Sequence, residues 1–220
     1  DRAPEVKTLR RKLARLAKFG RASRFGRMLA ERRVKARGSA LGFLYADGHV
    51  RVYHGKETLP KAHVARVRMP LPSTTDYWVN DTDGEPLFLV TAEANAGMVK
   101  MLPPILEEVR SLIGERRVTI VFDRGGWSPK LFLKIIAAGF DLLTYRKGRS
   151  RRVPLSRFSV RMSVLGGRRV AYNLADQGVR LLAGSLRLRQ VTLLTESGHQ
   201  TPIITSRRDL LAIEIAYRMF

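Results

Sequence analysis

The chain has 220 residues, 45% of them hydrophobic, which excludes a disordered basic tail and allows one good core, alone or with a sizeable insertion. It has no Cys, which excludes disulfides and thiolate metal sites, and no apolar run approaches the roughly 20 residues of a membrane span. The net charge of +22 is concentrated: residues 1–40 hold 14 Lys and Arg against 3 acids, residues 146–189 hold 12 against 1, and the rest balances at 15 against 15. Two basic blocks on a neutral body point to a polyanion partner, because the planar Arg fork matches phosphate oxygens. Nothing at the start reads as a signal peptide, which favours the cytoplasm. The first residue is Asp1, so the natural start is expected upstream.

Residues 5–36 read as helix. Leu9, Leu13 and Leu16 recur at helical spacing, Arg and Lys fill the other faces, and Gly20 and Gly26 divide the run into two helices. In "SALGFLYADGHVRVYHGK", Leu41–Ala46 and Val50–His54 read as two short strands on either side of Asp47-Gly48. Tyr77–Val79 and Pro86–Val90 are the next strands, joined by the turn chemistry of Asn80–Gly84. Asp81-x-Asp83-Gly84 is similar to a calcium loop but lacks its bidentate Glu, and reads as a turn. Gly97–Ile113 is an amphipathic helix in which Pro103-Pro104 requires a kink or a late start. Val118–Phe122 is an apolar strand ending at Asp123. Ser128 caps a helix whose first residue is Pro129 and which runs to about Ala138, and Phe140–Tyr145 is another strand. Residues 146–204 then turn β-rich, in pieces such as "RFSVRMSVL", "RRVAYNL" and "QVTLLTE". Ser206 and Asp209 resemble a cap for a last helix, with Leu210, Ile213, Tyr217 and Phe220 on one face. That helix has no C-terminal cap and is expected to continue past Phe220.

Asp123 and Asp47 each follow an apolar strand and precede a glycine. In an open α/β sheet, groups at the carboxyl ends of strands line the site-forming edge. Each acid alone has a simpler role, Asp47-Gly48 as a hairpin turn and Asp123 as a cap. Together they make a pair able to hold a divalent metal, which takes oxygen ligands and keeps several waters. Arg124 is placed to touch a phosphate or a nearby carboxylate. Arg146, Lys147, Arg149, Arg151 and Arg152 follow a strand on the carboxyl edge, where a polyanion would lie. Gly125-Gly126 reads as a tight turn before a phosphate cradle, His49 as a surface residue near Asp47, and Tyr77, Trp78 and Trp127 as core before base-stacking platforms.

The element order (strand with Asp, strand, strand, helix, strand with Asp, helix, strand) is that of an RNase H-like domain. "LYADGHVRVYHGK" and "VTIVFDRGGWSPKLF" resemble the first and second acidic motifs of DDE-type transposases. The β-rich stretch resembles the insertion in bacterial insertion-sequence transposases of the cut-and-paste kind, and the likeness covers roughly residues 37–220. It implies an α/β fold, an RNase H-like mixed sheet with flanking helices. Residues 1–36 would be a basic helical segment, 37–147 the first part of the core, 148–204 the β-rich insertion, and 205–220 the start of the last core helix. It implies that Asp47 and Asp123 are catalytic and hold two Mg²⁺ or Mn²⁺ ions. Water and then a DNA 3′-hydroxyl would attack a backbone phosphate. The implied partners are transposon-end and target DNA and a second copy in an active homodimer, with no membrane or small-molecule substrate, in the bacterial nucleoid. The family's third acid is a Glu on the helix after the insertion, within a Tyr-Arg-Glu-Lys type signature. Here Glu214 is the candidate inside the chain, but it lies early, and the third acid is expected beyond Phe220. Two readings of other classes stand beside this one: a non-catalytic DNA-binding remnant, and a basic RNA-binding scaffold in which Asp47 and Asp123 are incidental.

Overall fold

A computed structural model describes residues 3–148 and 151–219. Two helices open it, α1 (Val6–Lys18) and α2 (Ala22–Ala36), separated at Gly20, whose φ of 63° suits glycine. α1 buries none of its residues, whereas α2 is anchored through buried Ala30. Arg33 donates to the Pro86 carbonyl, and Arg37, just past α2, pairs with buried Asp81.

The next strand, β1 (Phe43–Val52), is one ten-residue strand and not two strands around a turn. The reason lies in its partner. β3 (Met69–Asn80) pairs antiparallel with β1 from Tyr45 to Val52, and this ladder holds Asp47-Gly48 extended. The Tyr77 ring lies over Gly48, where an added Cβ would stand 2.7 Å from Tyr77 Cε1. Glycine is there for close approach, not for a turn. β2 (Lys61–Val64) and β4 (Pro86–Glu93) also pair with β3. Helix α3 (Met98–Ile113) runs through Pro103-Pro104 rather than starting late. Its buried stripe of Met98, Leu102, Ile105, Leu106 and Val109 offsets the backbone bonds that the prolines cannot make.

β5 (Thr119–Phe122), α4 (Pro129–Ala137) and β6 (Asp141–Tyr145) follow, with Ser128 Oγ accepting from Leu131 N at 3.3 Å. β1, β5 and β6 are parallel, and α3 and α4 cover one face. There Leu44, Ile120, Phe122 and Leu142 meet Leu102, Ile105, Phe132 and Ile135.

β7 (Ser159–Leu165), β8 (Arg168–Leu181), β9 (Leu186–Leu194) and β10 (Gln200–Thr205) extend this same sheet. β10 docks antiparallel on β6, giving the order β2-β3-β1-β5-β6-β10-β9-β8-β7, with β4 also on β3. The last helix, α5 (Ala212–Tyr217), covers the other face, with Ile213, Ile215 and Ala216 against Val121, Leu143, Leu174, Val191 and Ile203. Ser206 and Asp209 do not cap it. Ser206 Oγ donates to Asp141 at 2.7 Å, Asp209 pairs with Arg207, and Glu214 accepts the Leu211 N–H at 2.7 Å. The architecture is mixed α/β, a large and mostly antiparallel sheet with flanking helices.

Candidate metal and nucleic-acid site

The parallel ladder between β1 and β5 ends at Ala46 opposite Phe122. The next residue on each strand is an acid, so Asp47 and Asp123 stand side by side on neighbouring strands, which lie about 4.8 Å apart. By strand alternation Asp47 shares a face with Phe43 and Tyr45, and Asp123 with Val121. That is the face on which α5 packs. Both carboxylates are exposed. Asp47 Oδ1 accepts the Gly48 N–H and Asp123 Oδ1 the Gly125 N–H, each at 2.8 Å. Thr144 Oγ1 donates to the Asp123 carbonyl at 3.1 Å and fixes the backbone there.

Tyr77 reports on both acids at once. Burial pushes its phenol up, and the negative charges of Asp123 and Asp47 push it further in the same direction. Among the described residues neither acid forms an ion pair, in a chain with 41 Lys and Arg. Two uncompensated carboxylates on one edge repel each other, and a hard divalent cation relieves that repulsion through oxygen ligands. Among the described residues no group of three or more His, Cys, Asp and Glu converges, so the pair stands as two donors.

Glu214 does not join them. It lines a small cavity with Phe43, Leu165 and Tyr217. Phe43 begins β1 four residues before Asp47, about 13 Å back along the strand. The chain just past α5 comes nearer the acids: the Met219 carbonyl accepts from Tyr145 Oη at 2.8 Å, and Tyr145 ends β6 beside Asp123. His49 lies two residues beyond Asp47 on the same face, opposite buried Asp76, which Arg51 and Thr91 engage at 3.1 and 2.9 Å.

The basic residues converge as well. Arg124, Arg146, Lys147, Arg151 and Arg152 line one open cavity of about 650 Å³, and among the described residues no acid lines it. Arg149 lies outside the described residues. Arg124 sets its guanidinium over the Tyr145 ring, 5.5 Å from the centroid, and forms no carboxylate pair among the described residues. Arg146 follows β6, its backbone N–H bonded to the Pro202 carbonyl and its side chain to Gln190 Oε1 at 2.6 Å. Gln200 holds Val153 by a reciprocal pair of bonds at 2.9 and 2.8 Å, and Arg152 donates to the Gly198 carbonyl at 2.9 Å. Gln190 and Thr192 from β9, His199 from the turn after it and Gln200 from β10 add to the wall. Sequence reasoning missed these four; no local signal marks them, because only strand pairing brings them next to Arg146.

The remaining motifs are structural. Asp81 is buried, accepts N–H groups of Asp83 and Glu85 at 2.9 and 3.0 Å, and pairs with Arg37. Burial raises its carboxyl, but the Arg37 bond and the two backbone donors hold it below the usual range. Trp127 packs edge-on against Phe132 at 5.2 Å, in the core. The Gly125 N–H is taken by Asp123, which makes Gly125-Gly126 a tight turn.

Two exposed carboxylates thus stand near a cavity lined by five cations and, among the described residues, by no acid. The chain belongs to a family of transposases: the family described as "Transposase protein" matches residues 1–220. No curated protein matches it. Among solved structures it is similar to piggyBac transposase in a synaptic complex with hairpin DNA, at 11% identity and a TM-score of 0.45 over 77% of this chain and 34% of that one. It is also similar to Marinitoga piezophila Argonaute in complex with 5′-OH guide RNA, at 13% identity and a TM-score of 0.32 over 84% of this chain and 26% of that one. The chain thus spans about a third of the first and a quarter of the second.

Proposed function

We propose that this chain is the strand-cleaving core of a DNA transposase of the DDE type, cutting and rejoining DNA at transposon ends and target. Asp47 and Asp123 would be two of its metal ligands, and Mg²⁺ or Mn²⁺ the metal. The observation that carries the reading is the register that brings both acids together where the parallel ladder between β1 and β5 ends, beside the cation-lined cavity. The order β4-β3-β1-β5-β6, with β3 antiparallel and α3 and α4 following β4 and β5, supports an RNase H-like core. The strands β7 to β10, which lie between β6 and α5, support reading this stretch as an insertion.

The donor set fits a hard cation: carboxylate oxygens, exposed, and among the described residues not paired with Lys or Arg. When bound, the metal supplies charge neutralisation at the phosphate and a more acidic attacking water. The chain's own residues do the placing. The Gly48 and Gly125 N–H groups fix the two carboxylates, and Thr144 holds the Asp123 backbone. Arg124, Arg146, Lys147, Arg151 and Arg152 would hold the DNA phosphates. Glu214 is engaged at the Leu211 N–H and stands apart from the two acids. The active species is proposed to be a homodimer on DNA in the nucleoid.

The test is nicking of a transposon-end duplex by the product of the whole gene, with Mn²⁺. Asp123→Asn and Asp47→Asn should each cut the rate by more than the roughly 10–100-fold that loss of an outer-shell metal partner costs, with DNA affinity kept. Unchanged nicking in Asp123→Asn overturns the reading. Binding without cleavage under any divalent metal leaves the non-catalytic DNA-binding protein as the better account.

A further inference from the structure

β7 is the last strand of the sheet, and among the described residues it pairs only with β8. One of its faces turns toward α5, where Leu165 packs. The other carries Val160, Met162 and Val164, which are 65%, 79% and 63% exposed. Their neighbours on β8 are Asn173, Ala171 and Arg169, too small or too polar to cover them. Edge strands are usually blunted by shortness, proline, bulges or inward charge. β7 has seven residues, no proline and an unbroken register with β8, and Arg161 is its one charge. An open backbone edge thus runs alongside an uncovered apolar stripe.

We propose that β7 pairs antiparallel with β7 of a second copy about a two-fold axis at Met162, joining two sheets into one. The register follows from the sequence of the strand. An axis at Met162 sets Met162 against its own copy, Val160 against Val164 and Arg161 against Ser163. The open face gains three apolar cross-strand pairs, and no like charges meet. An axis at Arg161 sets two guanidiniums opposite each other. A one-residue slip sends the two stripes to opposite faces. The contact is isologous and closes as a dimer. Two seven-residue strands make a contact at the small end of the range for stable interfaces, roughly 1,200–2,000 Å², so the dimer is a reversible one that depends on concentration. Each copy carries +22, so added salt strengthens the dimer by screening their repulsion.

Sedimentation velocity on the nuclease-treated 220-residue chain in high salt tests this. The wild type should shift from monomer to dimer as concentration rises. Met162→Lys and Met162→Glu should each stay monomeric with an unchanged circular dichroism spectrum, since the side chain is exposed. An equimolar mixture of the two should regain the dimer, with Lys facing Glu across the axis. A wild type that stays monomeric at every concentration overturns the proposal. So does a single variant that still dimerises, or a mixture that does not.

Discussion

The β1-β5-β6 half of the sheet and the β7-β8-β9 half are one hydrogen-bonded structure with two kinds of surface. All four residues of β5 are buried, whereas five of the seven in β7 are exposed and none is buried. Parallel strands need helical crossovers, and those crossovers, α3 and α4, cover one face while α5 covers the other. Antiparallel hairpins need none, and the six residues of α5 do not reach the far face of β7. The difference teaches that crossover helices bury one half of the sheet, whereas hairpins leave the surface of the other half open. The comparison breaks most sharply at Phe132 and Met162. Phe132→Ala, in the covered half, should cost about 3–5 kcal/mol in urea unfolding, while Met162→Ala should stay within about 0.5 kcal/mol. Equal losses would mean that the two halves are packed alike.

A smaller effect sharpens the account of Asp47. Gly48→Ala puts a methyl 2.7 Å from Tyr77 Cε1, on a ring whose hydroxyl is tied to the Ala96 carbonyl. The ring or the strand must shift, an overpacking cost of about 1–3 kcal/mol. Chemical denaturation reads it directly, and an unchanged midpoint would remove close packing as the reason for glycine beside Asp47. Smaller still is the contribution of single cations. Lys147→Ala or Arg151→Ala should weaken DNA binding modestly and lower the slope of log affinity against log salt by about 0.9 each. A slope that stays put for both would place the DNA elsewhere than the cavity they line.

The covered half was the more legible in sequence. Thr119–Phe122 is an apolar run closed by Asp123, and Ser128-Pro129 is a helix start by local chemistry alone. Asp47-Gly48 misleads because its local chemistry is that of a turn, and only the twelve-residue partner β3 keeps it extended. Proline hid other strands. Pro70 and Pro72 lie in β3 and Pro202 in β10, and proline argues against a sheet interior. β10 nevertheless sits between β6 and β9, with the Pro202 carbonyl taken by the Arg146 N–H. The acids and the basic run were visible as residue types in order. Their neighbours Gln190 and Gln200 were not, because a cavity wall made by strand pairing leaves no mark in the local sequence.

The smallest predicted effect concerns the hinge between the halves, where the chain leaves β10 for α5. Arg207 grips Asp209 through two bonds of 2.8 Å and reaches Thr119 Oγ1 at 2.9 Å, while Arg117 holds Asp141 at 2.7 Å and approaches Asp209 at 3.6 Å. The Arg207 fork, opposed by partial burial and helped by Arg117, lowers the Asp209 carboxyl to about 2. The unfolded chain has it near 3.9, so the folded state favours the ionised form. The stabilisation is therefore complete above about pH 4 and is lost as pH falls toward about 2. Asp209 is half exposed, so solvent screening keeps the effect small. Asp209→Asn should melt slightly below the wild type at neutral pH, and the two melting curves should converge as the pH approaches 2. A gap that persists unchanged at low pH would mean that Asp209 acts through shape rather than charge, and that the charged fork does not tie α5 to the covered half.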